Sequence, residues 1–178
     1  WGQLESYKPA WNQRAMKAAV LIPDGARVLE VGAGAGFLRR LIIERTDYVG
    51  TDLEPVDPAL TPLDLDADPL PPGRFDVAVA LGVIEYLHHP REAVEKLCGA
   101  ASQVITSYCC TRPQPQSTND VSSRVARGWI NHFDRHDFLD LFVRHGYAMD
   151  RCTTLTEQTD LEELLIVFRP DSTRLSCP

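Results

Sequence analysis

Three glycines at alternate positions form the most informative motif of the sequence. Gly32, Gly34 and Gly36 follow a short apolar run and precede a helical pattern that begins at Phe37. Glycine allows a tight turn from strand to helix, and the missing side chains let a ligand approach the main chain. The next helix would offer free N–H groups to anionic atoms of that ligand. A tight turn without a ligand would carry the same glycines, so a second signal is needed.

Asp52 supplies this second signal at the end of the next predicted strand. A carboxylate in this position can accept hydrogen bonds from both hydroxyl groups of a ribose. A solvated or helix-capping aspartate is the alternative, and the glycines favour the ribose interpretation. A dinucleotide site would need the pattern GxGxxG, but its last glycine is replaced by Phe37 here. The dinucleotide motif also has no fixed acidic residue just before its first glycine, whereas Glu30 lies two residues before Gly32 here.

Together with two later motifs, these residues resemble the class I S-adenosylmethionine-dependent methyltransferases. Residues 30–36 (EVGAGAG) are similar to the family's E/D-x-G-x-G-x-G loop, and residues 75–87 resemble its FD-apolar strand and following segment. Tyr86 stands where the family often has histidine. Asp64-Leu65 resembles the pair that meets the adenine, with Asp66 and Asp68 as alternative registers. The resemblance spans residues 24–169 and implies S-adenosylmethionine as cofactor. It assigns cofactor binding to Glu30, Gly32, Ala33, Gly34, Gly36, Asp52, Leu53, Asp64, Leu65, Leu81 and Gly82.

The reaction that this resemblance implies is in-line displacement at the sulfonium methyl, for which the protein mainly positions the two partners. A hydroxyl acceptor would need a general base, and histidine has a suitable intrinsic pKa. His132, where a long loop returns to the sheet, and His89, just beyond the fourth predicted strand, are the candidate catalytic residues. His88 and His136 are weaker candidates. Asp134 is predicted to cap a helix, so a metal triplet with His132 and His136 is rejected and no metal is expected.

Alternating strands and helices predict one α/β domain over residues 1–170, with a Rossmann-like fold. Its seven-stranded, mostly parallel sheet would have helices on both faces and an antiparallel last strand. The predicted strands cover residues 27–31, 48–53, 61–65, 75–82, 103–108, 147–154 and 164–169. The predicted helices are an amphipathic one before residue 23, one over 37–45, one from about 91 and one over 134–146. Residues 171–178 are predicted to form a disordered tail.

Composition limits the partners. The 178 residues carry 18 basic and 25 acidic side chains, a net charge of −7, which disfavours nucleic acid as the acceptor. No apolar run approaches the ~18 residues that span a bilayer, and no signal peptide is expected. Five cysteines without a CxxC motif favour thiols in a reducing cytoplasm.

A long polar segment at residues 109–133 is predicted to cover a small or medium-sized acceptor. Arg112, Arg124 and Arg127 within it would suit an anionic metabolite or a sugar derivative, and Trp129 could line the same pocket. Two alternatives stay open. The chain could be a non-catalytic, methyltransferase-like module of a larger assembly, or a nicotinamide-dependent oxidoreductase, against which Phe37 and the closing hairpin count. The oligomeric state is not predicted.

Overall fold

A mixed seven-stranded sheet forms the centre of the protein, in the order β3-β2-β1-β4-β5-β7-β6. The computed structural model describes residues 9–112, 124–157 and 161–173. Strands β1 to β5 are parallel to one another, and β7 runs antiparallel between β5 and β6. The predicted fold class is therefore confirmed. The strands are β1 (Arg27–Val31), β2 (Asp47–Asp52), β3 (Thr61–Pro62), β4 (Phe75–Leu81), β5 (Ala101–Thr111), β6 (Tyr147–Glu157) and β7 (Leu161–Pro170).

Helices cover both faces of the sheet. On one face lie α1 (Pro9–Ala19) and α2 (Phe37–Ile42), and on the other lie α3 (Pro90–Ala100) and α4 (Arg135–Val143). The side of α1 that the sequence predicted to be apolar is buried, since Ala15, Ala18 and Ala19 pack against β1 and β4. Asp134 caps α4 as predicted, because its Oδ1 accepts a hydrogen bond from the Asp137 N–H at 2.9 Å.

Several element boundaries differ from those predicted. α2 ends before residue 45, because Arg45 turns back and donates to the carbonyl oxygens of Ile22 and Ala19 at 2.7 and 2.6 Å. Leu41 of α2 is 40% exposed. β3 is shorter than predicted, since Pro62 has no N–H to donate to a ladder. The closing hairpin is longer, and of the predicted tail only residues 171–173 lie within the described ranges.

The carboxyl ends of β1, β2 and β4 lie side by side and carry the sequence motifs. The register pairs Val31 of β1 with Thr51 of β2 and with Ala80 of β4. The glycine loop after β1, Asp52 at the end of β2 and Gly82 after β4 therefore meet at one edge, which we call the carboxyl edge. In the described ranges, no helix has the length and apolar character needed to cross a membrane.

Candidate active site

The glycine loop holds backbone conformations that other residues rarely adopt. Gly32, Gly34 and Gly36 have φ angles of 70°, 56° and 66°, in the left-handed region that favours glycine. A Cβ atom at Gly32 would collide with the Cγ2 methyl group of Val83. The N–H of Ala33 donates to a β2 carbonyl oxygen at 3.0 Å, which ties the loop to the sheet. The loop is therefore a fixed surface that presents backbone atoms at the carboxyl edge.

Asp52 faces this loop and keeps acceptor capacity. Its Oδ2 accepts the Gly34 N–H at 2.7 Å, and its Oδ1 accepts the Glu54 N–H at 3.1 Å. A carboxylate has about four lone-pair sites, so each oxygen can accept one more hydrogen bond. The next side chain, Leu53, is 65% exposed and offers an apolar surface that a flat ring could cover. This arrangement suits a diol attached to a heterocycle.

Glu30 lies beneath the loop rather than on its surface. Its side chain is only 4% exposed, and its Oε2 accepts a short hydrogen bond from the Tyr48 hydroxyl group. Burial raises the pKa of Glu30 to about 8, and the nearby Asp52 charge acts in the same direction. The carboxyl therefore holds β1 to β2 and carries a proton over much of the neutral range.

Asp64 and Leu65 differ in what they can offer a ligand. Asp64 is half-buried and its Oδ1 accepts the Asp66 N–H at 2.9 Å, so its carboxylate braces the turn that follows β3. The side chain of Leu65 packs in the core with α3, and its carbonyl oxygen accepts the Lys96 ammonium at 2.7 Å. Of this pair, only the Asp64 side chain lies outside the core, where a ligand could contact it.

Arg14 of α1 covers the end of β4, where sequence reasoning placed only Leu81 and Gly82. Its Nη2 donates to the Leu81 carbonyl oxygen at 3.2 Å, and its Nη1 donates to Glu163 Oε1 of β7 at 2.9 Å. A Cβ atom at Gly82 would lie 2.7 Å from Arg14 Nη1, so the glycine gives the guanidinium room. No local sequence pattern identifies this contact, since α1 and β7 lie at opposite ends of the chain.

Glu85 is a second site residue to which sequence reasoning gave no role. It belongs to the 3₁₀ turn Ile84–Tyr86 after β4 and is 2% exposed. Its Oε1 accepts the Cys109 N–H of β5 at 2.9 Å, and burial raises the pKa of its carboxyl group. The sequence signal that could have identified Glu85 is its charge within the apolar segment that follows β4.

Residues 124–133, which we call the return segment, are fixed to the sheet. The carbonyl oxygen of Glu85 accepts the N–H groups of Ile130 and Asn131 at 2.8 and 3.2 Å. The side-chain amide of Asn131 donates to the carbonyl oxygens of Ile84 and Leu87 at 2.7 and 2.6 Å. This half of the predicted lid is therefore anchored, and the predicted lid residues 113–123 lie outside the described ranges.

Arg124 organises the return segment around His132. It is 2% exposed, its Nη2 donates to the Cys109 carbonyl oxygen at 2.9 Å, and its guanidinium lies 4.8 Å from the Trp129 ring centre. Its Nε donates to His132 Nδ1 at 3.1 Å. Burial, together with the Arg124 charge, lowers the pKa of His132. The ring is therefore neutral near pH 7, accepts at Nδ1 and carries its proton on Nε2.

The remaining predicted residues make other contacts. Arg112 forms an ion pair with Glu162 at 3.1 Å, and Arg127 lies over the Trp129 ring at 5.2 Å. His89 is exposed at the start of α3, and its backbone N–H donates to Asp66 Oδ1 at 2.8 Å. Among the described residues, no three histidine, cysteine, aspartate or glutamate side chains group as metal ligands would.

Comparison with known proteins agrees with this geometry. A family model described as a methyltransferase domain matches residues 4–151. No curated protein matches the sequence significantly. Many solved structures match the fold. The [4+2]-cyclase SpnF is 12% identical with a TM-score of 0.73, and the match covers 89% of this chain and 81% of that one.

Two further structures show the same fold. The YcgJ protein from Bacillus subtilis is 12% identical with a TM-score of 0.71, over 89% of this chain and 98% of that one. Magnesium protoporphyrin IX methyltransferase from Synechocystis PCC 6803, crystallised with SAH, is 14% identical with a TM-score of 0.66, over 90% of this chain and 84% of that one. At these identities the three structures show a shared fold.

Proposed function

We propose that this chain, which belongs to the class I S-adenosylmethionine-dependent methyltransferases, transfers a methyl group to a small or medium-sized acceptor. It is an enzyme, and its cofactor is S-adenosylmethionine. The family match supports methyl transfer, whereas the fold alone is shared with a cyclase at 12% identity. The family match also argues against the nicotinamide-dependent alternative.

The glycine loop facing Asp52 is the observation that carries the proposal. The loop has no side chains that would block a ligand, and Asp52 keeps one lone pair on each oxygen for a ribose diol. Exposed Leu53 can cover one face of an adenine ring. The residues present therefore fit the cofactor. We assign its binding to Glu30, Gly32, Ala33, Gly34, Gly36, Asp52, Leu53, Asp64, Leu65, Leu81 and Gly82, with Glu30 and Leu65 acting from within the core.

When bound, the cofactor supplies a methyl group already activated on a sulfonium, so the chain's own residues mainly position the acceptor. His132 and His89 are the candidate catalytic side chains. Because Nδ1 of His132 accepts from Arg124, its Nε2–H can donate to an acceptor oxygen, which favours an orienting role over that of a base. His89 is exposed, and its ring makes no capping hydrogen bond to α3.

The acceptor in this proposal is a small molecule rather than nucleic acid, since the net charge of −7 opposes a polyanion. Buried, unpaired thiols at Cys98, Cys109 and Cys110 support a cytoplasmic location.

Isothermal titration calorimetry with S-adenosylmethionine, S-adenosylhomocysteine and NADH tests the cofactor assignment. We expect saturable one-site binding of the two adenosyl compounds and no heat from NADH. Binding of NADH, with no binding of either adenosyl compound, would overturn the proposal. Release of S-adenosylhomocysteine in the presence of small-molecule acceptor pools then tests transfer.

A further inference from the structure

Four buried polar atoms at the carboxyl edge have no hydrogen-bond partner among the described residues, and one of them, Arg124 Nη1, belongs to the return segment. The other three are Glu85 Oε2, Arg14 Nε and Ser107 Oγ. Glu85 is 2% exposed, Ser107 is fully buried, and the Arg14 side chain is 13% exposed. Buried polar groups in native proteins are nearly always paired, so three unpaired atoms in one region indicate a ligand that supplies their partners.

The sheet register brings these atoms to the same region on the α1 face. Leu81 of β4 pairs with Ser107 of β5, and Cys109 of β5 pairs with Glu163 of β7. Arg14 bonds both the Leu81 carbonyl oxygen and Glu163, so its guanidinium spans β5 near Ser107. Glu85 bonds the backbone of Cys109 on the same strand. We call Arg14, Glu85, Ser107, Cys109 and Glu163 the edge cluster.

The unpaired atoms specify the chemistry of their partner. Arg14 Nε–H can only donate, Glu85 Oε2 accepts when ionised, and Ser107 Oγ can do both. A hydroxyl group, which donates one hydrogen bond and accepts others, fits between them. A carboxylate or phosphate would face the carboxylates of Glu85 and Glu163, so the reacting end of the acceptor is neutral.

We propose that the edge cluster binds the hydroxyl group that becomes methylated, and that Glu85 is the base that removes its proton. This inference rests on the proposed methyl transfer and names its acceptor class as an alcohol or phenol. The acceptor oxygen gives its proton to Glu85 Oε2 and bonds through a lone pair to the methyl carbon. The carbon–sulfur bond breaks with its electron pair staying on sulfur, and Glu85 later releases the proton to water.

The surroundings of Glu85 support this role. Burial raises the pKa of its carboxyl group, the Glu163 charge acts in the same direction, and the Arg14 charge opposes both. Tyr86 and Cys109 also lie beside it, and Arg124 lies beside Cys109. The Cys109 thiol does not compete as a nucleophile, since burial raises its pKa and keeps it protonated.

Proton release on ligand binding tests the proposal without an acceptor. S-adenosylmethionine carries a positive sulfonium and S-adenosylhomocysteine a neutral thioether, and they otherwise differ by one methyl group. A cation placed beside Glu85 lowers the pKa of its carboxyl group and expels its proton. Calorimetry in buffers of different ionisation enthalpy, repeated at several pH values, should show more proton release with S-adenosylmethionine than with S-adenosylhomocysteine.

Two variants identify the responsible group. Glu85→Gln keeps an oxygen for the Cys109 N–H and should abolish the difference in proton release, with both ligands still bound. Glu162→Gln is the matched control, because Glu162 is a buried carboxylate of β7 that pairs with Arg112. This variant should keep the difference in proton release between the two ligands. If Glu85→Gln does not fold, infrared spectra of the wild type should show loss of a protonated carboxyl band with S-adenosylmethionine.

The outcomes separate the two levels of the proposal. Failure of both ligands to bind would overturn the proposed function itself. Binding of both with equal proton release, or a difference that survives Glu85→Gln, would overturn the role of Glu85 and leave the cofactor assignment standing.

Discussion

Asp52 fixes the local backbone and keeps acceptor capacity for a ligand. One lone pair on each carboxylate oxygen fixes the local backbone, through Gly34 and Glu54, and the others stay available to a ligand. The same side chain therefore shapes the glycine loop and, in the proposed function, binds the ribose, so its removal should affect affinity in two ways.

We predict that Asp52→Ala weakens S-adenosylmethionine binding at least tenfold, since hydrogen bonds to a charged group contribute ~1.5–3 kcal/mol each. Asp52→Asn keeps one oxygen for the loop and should lose less. Calorimetry measures both. Asp76→Ala is the control, because Asp76 accepts the Arg27 N–H at 2.8 Å at the opposite end of the sheet. Unchanged affinity in Asp52→Ala would remove this residue from the site.

Glu30 makes stability depend on pH. Its pKa is raised from 4.5 to about 8 by burial, so the folded state keeps a proton that the unfolded chain releases. The resulting stabilisation is complete below the unfolded pKa and is lost as pH rises through the folded pKa. We therefore predict that the free energy of unfolding decreases between about pH 5 and about pH 8, by on the order of a few kcal/mol.

Glu30→Gln should reduce this decrease, because the amide keeps an oxygen for the Tyr48 hydroxyl group and does not ionise. Glu85 contributes in the same direction, so part of the slope should remain. Urea denaturation at several pH values measures the effect. Glu54→Gln, at an exposed carboxyl, should leave the wild-type slope unchanged, and an equally steep slope in Glu30→Gln would contradict the prediction.

At the scale of elements, the glycine loop and the return segment form opposite sides of the candidate site. The loop is fixed by left-handed backbone angles and by bonds to β2, whereas the return segment is fixed by side chains, above all Arg124 and Asn131. Both are anchored to strand ends, so the site is largely formed before any ligand arrives.

Gly34→Val tests the loop. The φ of 56° disfavours a branched side chain, and the new methyl groups would project from a surface that a ligand must approach. We predict a protein with native circular dichroism that no longer binds S-adenosylmethionine. Gly146→Val introduces the same residue at a φ of 75°, in open space after α4. It should lose comparable stability and keep binding, whereas retained binding in Gly34→Val would make the loop only a structural turn.

Arg124→Gln tests the return segment. Burial lowers the pKa of the His132 ring, and the Arg124 guanidinium that bonds its Nδ1 lowers it further, so loss of Arg124 should raise that pKa. Titration of the histidine resonances by NMR measures the shift directly. Arg127→Gln is the matched control, since its guanidinium lies over Trp129 instead. An unchanged His132 titration in Arg124→Gln would show that this hydrogen bond does not form.

At the scale of the whole molecule, periodicity and order along the chain were sufficient for the architecture. Alternating strands and helices predicted the parallel sheet, and two consecutive strands predicted the closing hairpin. The glycines and Asp52 mark two strand ends that meet, because parallel strands align their carboxyl ends at one edge. These features depend on neighbours in sequence or on a general rule of sheet topology.

The edge cluster could not be predicted in this way. Arg14 contacts Glu163 across a separation of 149 residues, and the hydrogen bond from Cys109 to Glu85 joins two separate strand ends. Neither contact leaves a periodic pattern in the sequence. For the same reason, the predicted role of Arg124 in acceptor binding did not anticipate its burial.

The ion pair between Arg14 and Glu163 should stabilise the whole fold, since it joins α1 to the inserted strand β7. We predict that Arg14→Gln and Glu163→Gln each lower the free energy of unfolding, and that the double variant loses less than their sum. A coupling energy of about 1 kcal/mol or more is expected for a partly buried pair. Exposed Arg169 and Asp150 provide the control pair, whose coupling should be smaller. Additive losses at Arg14 and Glu163 would show that the pair is not formed.

The position of β7 in the sheet also determines the order in which parts of the fold can form during synthesis. β7 follows both β5 and β6 along the chain, yet it inserts between them and supplies Glu163. A nascent chain that has emerged only through β5 already contains the glycine loop and Asp52, but β5 is then an unpaired apolar edge. The half that contains the glycine loop and Asp52 can therefore form first, whereas the half that contains Glu163 is completed only with β7. Chain topology thus delays the edge cluster until β7 has been synthesised, and a chain that stalls before β7 leaves the edge of β5 exposed.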